Sequence, residues 1–186
     1  MIVILSGVSG AGKDTIKRIL MGKDGRIKTL PSYTTREKRV NEVEGENYYY
    51  VSKEKFKEMI DNNEFYEYSV HHGNYYGTNK KLLNERIKNN IVLKDIDVNG
   101  TEDLLKIFRE TDIKIISIFL NISKEEMLRR LENRDDKLKQ EEIELRMERY
   151  DYEMNHIGIY DYVIKNYDAE KTSNIILDII KREQEQ

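Results

Sequence analysis

Nine residues near the start of the chain carry a recognisable chemistry. Gly7-Val8-Ser9-Gly10-Ala11-Gly12-Lys13-Asp14-Thr15 places glycine, four residues, glycine and lysine in succession. Glycines let a backbone wrap closely around phosphate groups and turn its N–H groups toward them. A lysine at this spacing reaches the outer phosphates of a bound nucleoside triphosphate. Gly7, Ser9, Gly10, Ala11, Gly12, Lys13, Asp14 and Thr15 are therefore read as a triphosphate cradle. Farther on, Arg36 and Arg39 stand three apart in Ser32-Tyr33-Thr34-Thr35-Arg36-Glu37-Lys38-Arg39. The rigid fork of arginine suits bidentate binding of a second phosphate.

The cradle needs a strand before it and a helix after it, and the hydropathy pattern supplies both. Residues 1–5 are a short continuous apolar run, as in a buried parallel strand. Ile16, Ile19 and Leu20 then share one helical face, and the helix N-terminus adds its dipole to the phosphate site. Beyond this, strand and helix patterns alternate. Strands are expected over 48–51, 64–70, 91–96, 114–120 and 162–164. Helices are expected over 53–62, around Leu82, Leu83 and Ile87, and over 101–110, 124–133, 141–154 and 172–181. Ser123, with Glu126 three residues on, has a capping-box pattern. Residues 73–78 read as a turn. The alternation predicts an α/β fold with a parallel sheet and helices on both faces. Residues 32–76 differ, being strand-rich and tyrosine-rich. They predict an inserted subdomain, with the one proline, Pro31, at its entrance.

Bulk properties bound the function. The 186 residues suit one α/β domain. Charged residues make up 36% of the chain, yet the net charge is -3. A duplex nucleic-acid binder carries a basic excess, so no nucleic-acid partner is expected. Without cysteine there is neither a disulfide framework nor a thiolate metal site. The opening apolar run is too short for a signal peptide and lacks a basic flank. No apolar stretch approaches membrane-spanning length. A soluble cytoplasmic protein is expected.

Other residues join the arginines to form a wider pattern. Tyr48 follows nine residues after Arg39, Glu67 falls in an expected strand, and Tyr76 and Thr78 close the Gly73-Asn74-Tyr75-Tyr76-Gly77-Thr78 run. Across these motifs the sequence resembles the guanylate kinases, from the phosphate loop almost to the end. The match is most specific from 32 to 78. The resemblance implies a P-loop NTPase fold of three layers, with an acceptor-binding insert at about 32–78. It also implies a helical lid at about 123–154, and a core of 1–31, 79–122 and 155–186. It implies that Arg36, Arg39, Tyr48 and Tyr76 hold the phosphate of GMP, and that Ser32, Glu67 and Thr78 read its guanine edge. A carboxylate accepts from guanine N1–H and the exocyclic amine, and a hydroxyl donates to O6. Adenine presents the wrong donors, and a buried polar site rejects it. The expected reaction is reversible phosphoryl transfer from Mg-ATP to GMP, and to dGMP, giving ADP and GDP.

The same resemblance places Asp95 near Mg²⁺ and Asp97 near guanine or an arginine, and leaves their individual roles open. Lys94, beside them, is an unexpected charge in a strand. Arg134 and Arg146 match lid arginines that contact ATP, and Asn166 matches a residue near adenine. Departures from the family fall in two of these motifs. Asp135-Asp136 follows the first lid arginine where glycine and threonine are usual. Asp14 stands where serine or threonine usually offers Mg²⁺ a hydroxyl; adenylate kinases carry glycine there and threonine next. Asp14 either holds Mg²⁺ through water or sits as a favourable charge at a helix N-terminus, worth roughly 0.3–1 kcal/mol. Tyr49, Tyr50 and Tyr75 are expected to pack strands, and His71 and His72 to be turn residues. Two rival functions are a related P-loop kinase with another phosphorylated acceptor, and a non-catalytic guanylate-kinase-like binding module. Such modules usually lose the loop lysine, which Lys13 preserves.

Overall fold

The computed structural model describes residues 1–40, 42–46, 48–71, 73–133 and 140–185. The chain divides into two compact units, residues 1–3 with 26–115 and residues 4–25 with 116–186. The division falls within β1 (Ile2–Gly7), a wholly buried strand in a parallel sheet of order β2-β7-β1-β8-β9. No helix among the described residues is long and apolar enough to cross a membrane.

In the unit built mainly from 26–115, β2 (Ile27–Thr29) pairs in parallel with β7 (Ile91–Asp95). Between them in sequence lies a second sheet. It comprises β3 (Ser32–Thr34), β4 (Tyr48–Tyr50), β5 (Phe65–His71) and β6 (Asn74–Asn79), in the order β4-β3-β6-β5. Three helices belong to this unit: α2 (Lys53–Asp61), α3 (Lys80–Ile87) and α4 (Val98–Phe108). Each is started by a side chain that accepts from the first turn: Ser52 from Lys55 N–H, Asn79 from Leu82 N–H, and Asp97 from Gly100 N–H.

Residues 74–79 form β6 rather than the expected turn. Gly73, just before the strand, takes φ 75°. Glycines and asparagine give the segment turn propensity, but pairing with β3 and β5 on both sides overrides it. Gly77 is needed for packing: a Cβ there would lie 2.9 Å from both Phe56 and Phe65, whose rings stack at 4.5 Å. Tyr75 packs on Phe56 at 5.2 Å and Tyr49 stacks on Tyr33 at 5.0 Å, as expected of strand-packing residues.

In the other unit, α1 (Lys13–Lys23) follows the phosphate loop, and β8 (Ile115–Asn121) pairs in parallel with β9 (Tyr162–Lys165). Helices α5 (Lys124–Glu132), α6 (Gln140–Asn155) and α7 (Ala169–Glu185) complete it. Ser123 caps α5 by accepting from Glu126 N–H at 3.2 Å. The other half of the expected capping box is not made. The Glu126 carboxylate is taken by Arg129 and Arg130, whose hydrogen bonds hold it at about 2. Gly7 ends β1 at φ 151°, and a Cβ there would collide with the backbone of Leu120.

Candidate active site

Two polar constellations stand out, one in each unit. The first is the phosphate loop. Gly10 and Gly12 take positive φ, 74° and 88°, a backbone form that glycine adopts at little cost, and Ala11 N–H closes the turn on Val8 O at 3.1 Å. Lys13 lies back along the loop, its ammonium donating to Gly7 O at 2.7 Å. Asp14 sits in the first turn of α1, with its carboxylate 95% exposed and 2.7 Å from Lys17 Nζ. Arg146, on α6, donates to Ser9 Oγ at 2.6 Å.

Two further groups brace this loop. Arg130 donates to Gly10 O at 3.1 Å and to Asn166 O at 2.9 Å, while Glu126 holds its Nε at 2.6 Å. Asn166 donates from Nδ2 to Ala11 O at 2.6 Å, and a Cβ on Gly12 would lie 2.9 Å from that nitrogen. Among the described residues the buried Oδ1 of Asn166 accepts no hydrogen bond, which leaves a buried acceptor unanswered beside the Nδ2 that binds the loop. Sequence reasoning missed Arg130. Its signal was a glutamate four residues earlier on the same helix face. Arg134 and Asp135-Asp136 lie outside the described residues.

The second constellation has an arginine end and a carboxylate end. At the arginine end the Arg36 guanidinium lies 5.3 Å from the Tyr48 ring centre, and Tyr48 meets Tyr76 edge-on at 5.9 Å. Glu42, which sequence reasoning missed, ties this end together. Its carboxylate accepts from Arg36 at 2.6 Å, from Arg39 N–H at 2.8 Å and from Tyr50 OH at 2.8 Å. Tyr50 is thus a member of the site rather than only a packing residue. Arg39 contributes its backbone amide here, and its side chain is exposed.

Burial alone would raise the Glu42 pKa, but the hydrogen bonds from Arg36, Arg39 and Tyr50 hold it at about 2. Its folded value lies below the ordinary carboxylate value of 4.5. The tie is therefore fully present above about pH 4.5 and is lost as the pH falls through about 2. Amide exchange at Arg39 reads this directly. Its protection, corrected for intrinsic exchange, is expected to stay flat from pH 7 to 5 and to fall about tenfold in Glu42→Gln, the equivalent of about 1.4 kcal/mol for a weakened charge-assisted hydrogen bond. Equal protection in the two proteins would show that Glu42 does not hold the loop.

At the carboxylate end, Glu67 is 7% exposed, and Thr78 Oγ1 donates a short hydrogen bond to its Oε1. Ser32 Oγ lies 2.5 Å from the ammonium of Lys94, so the unexpected strand lysine is a buried member of this cluster. Burial pushes the Glu67 pKa up, Lys94 and Thr78 pull it down, and Asp97 and Asp103 push it up again. Gly100 gives Glu67 room: a Cβ there would lie 3.2 Å from its Oε2. Asp97 caps α4, and its Oδ2 lies 2.7 Å from His71 Nε2. His71 ends β5 rather than sitting in a turn, and His72 lies outside the described residues. Asp95 ends β7, half-buried. Among the described residues no group of three or more histidine, cysteine or carboxylate side chains is arranged to hold a metal ion.

Comparison with known proteins places these constellations in context. The family described as "Guanylate kinase" matches residues 1–183. A guanylate kinase of Prochlorococcus marinus (strain MIT 9312) is 41% identical over 182 residues, covering 97% of this chain and 96% of that protein. A guanylate kinase of Rickettsia felis is 39% identical over 190 residues, covering 100% and 95%. The crystal structure of guanylate kinase from Anaplasma phagocytophilum aligns with a TM-score of 0.80 at 32% identity, covering all of this chain and 87% of that one.

Proposed function

The chain belongs to the guanylate kinase family, and from that premise we propose how its two constellations divide the work of phosphorylating GMP with ATP. The enzyme is a nucleoside monophosphate kinase. The observation that carries the assignment of residues is the buried Glu67 carboxylate bonded by Thr78, with Ser32, Tyr48 and Tyr76 on strands of the same sheet and Arg36 just beyond β3. Glu67 accepts from guanine N1–H and the 2-amino group. Hydroxyl groups complete the edge, and a base with the opposite donors leaves buried groups unpaired. Arg36 and Arg39, with Tyr48 and Tyr76, hold the acceptor's phosphate, and dGMP fits the same contacts.

The phosphate loop takes the triphosphate. Lys13 exchanges its carbonyl partner at Gly7 for the β- and γ-phosphates, and Arg146 turns from Ser9 to the same anion. The buried Oδ1 of Asn166 suits the amine of adenine. Arg134 joins Arg146 in the lid, assigned to 123–154; residues 32–78 form the acceptor insert, and the rest of the chain the core. Bound together with ATP, Mg²⁺ would neutralise phosphate charge. The donors suit a hard cation that binds through one or two carboxylates plus phosphate oxygens. Asp14, exposed beside the loop, and Asp95, at the end of β7, would hold it. No protein nucleophile is required. An oxygen of the acceptor phosphate bonds to the γ-phosphorus as the bond to the β–γ bridging oxygen breaks, and ADP leaves. Positioning and charge stabilisation by Lys13 and the arginines carry the rate. We place the enzyme in the cytoplasm, with ATP and guanine nucleotides as its partners and no nucleic acid or membrane.

Single-turnover transfer from γ-labelled ATP tests this reading. The label should move to GDP without passing through the protein. Label in inorganic phosphate alone, or on the protein, would overturn it.

A further inference from the structure

Lys94 has no part in the reaction described above, yet it is one of the most deeply buried side chains in the molecule. β7 otherwise begins Ile91, Val92 and Leu93, all buried, and Lys94 is itself 1% exposed. A charge in such a place is costly unless it is answered. Its ammonium donates to Ser32 Oγ at 2.5 Å and to Leu30 O at 3.3 Å. An ammonium has donors and no lone pair, so the Ser32 oxygen accepts, and the Ser32 proton is directed at another acceptor. At Glu67 the order is reversed. Thr78 gives its proton to Oε1, so that hydroxyl is committed to the carboxylate. Lys94 is also the strongest influence opposing the burial that would protonate Glu67.

We propose that Lys94 is a specificity-determining positioning residue, which sets the hydrogen-bond polarity of the base site. It makes Ser32 a donor and keeps Glu67 a charged acceptor. The pair then matches purines with a 6-oxo group beside N1–H, and mismatches purines with a 6-amino group beside a bare N1. The proposal rests on the reading of Ser32 and Glu67 as partners of the base edge.

The test compares three acceptors: GMP, IMP, and the 5′-monophosphate of 2-aminopurine riboside. The last keeps the 2-amino group and lacks both O6 and N1–H. Lys94→Met removes the charge and nearly keeps the volume. Its kcat/KM for GMP and for IMP should fall about 10- to 100-fold, the scale of a hydrogen bond involving a charged group. The 2-aminopurine acceptor should change by less than about threefold, so the GMP-to-2-aminopurine ratio falls at least about tenfold. Equal losses with all three acceptors, the mark of a merely structural lysine, would overturn the proposal.

Ser32→Ala provides the second arm should Lys94→Met not fold. It should lower the same ratio, and an unchanged ratio overturns the proposal. Where both variants fold, the double variant should lose less than the product of the single losses, because Lys94 acts partly through Ser32. A full product would show that the two act independently. Wild-type transfer to GMP is the control: its absence removes the base-site reading itself, whereas normal transfer with an unmoved ratio in Lys94→Met removes only the role of Lys94.

Discussion

Lys13→Ala is expected to lower kcat by about 100- to 1,000-fold, the typical effect of deleting one preorganised group that meets transition-state charge. The fold should tolerate the change. Lys13 is the first residue of α1, where alanine is a good helix former, and among the described residues its ammonium donates to the loop carbonyls of Gly7 and Val8. The shape of the loop comes from Gly10, Gly12, Arg130 and Asn166, none of which the substitution touches. Stopped-flow turnover with GMP, together with a thermal melt, checks both parts. A kcat within about threefold of wild type would remove Lys13 from the chemistry, since the expected loss is far larger. A collapsed melt would mean that it is structural.

Glu67→Gln should lower kcat/KM for GMP by at least about 100-fold, the equivalent of about 2.7 kcal/mol. The reason is polarity. Glutamine is nearly the size of glutamate, but one of its two heads is an amide NH₂ that meets guanine donors with another donor. The site is buried, so water does not repair the mismatch. The charge that balances Lys94 is lost as well. IMP, which lacks the 2-amino group, should lose less than GMP. The KM for ATP should stay within about twofold, because the substitution leaves the phosphate loop intact and a lost charged contact would cost far more. Steady-state kinetics with the two acceptors decides the matter. An equal loss with GMP and IMP would show that Glu67 does not reach the 2-amino group.

The parts of this account legible in the sequence are those in which a local pattern carries the physics. The phosphate loop is contiguous, so its glycines and Lys13 can be read without a fold. β1 and β8 announce themselves as largely apolar runs because β1 is wholly buried and β8 is buried from Ile115 to Leu120. Ser123 was readable as a cap because the cap and its partner are three residues apart. What escaped depends on distant neighbours. β6 looked like a turn until strands on both sides supplied its hydrogen bonds. β2 and β3 are only three residues each, too short for a period to register. Glu42 is one acidic residue among many in a polar stretch, and only the folded chain gathers Arg36, Arg39 and Tyr50 around it. Lys94 looked like a flaw in a strand. Its acceptor Ser32 lies 62 residues away in sequence, and no spacing rule connects them.

The central claim is that this chain moves phosphoryl groups from ATP to guanine monophosphates in strong preference to AMP, CMP and UMP. ADP release from Mg-ATP, measured in parallel with GMP, dGMP, AMP, CMP and UMP, tests it most directly. The account predicts rapid release with GMP and dGMP, and rates with AMP, CMP and UMP lower by about 10⁴-fold, as expected of a site built to hydrogen-bond one base. Comparable release with AMP or a pyrimidine acceptor, or none with GMP despite measurable binding of both nucleotides, would contradict it.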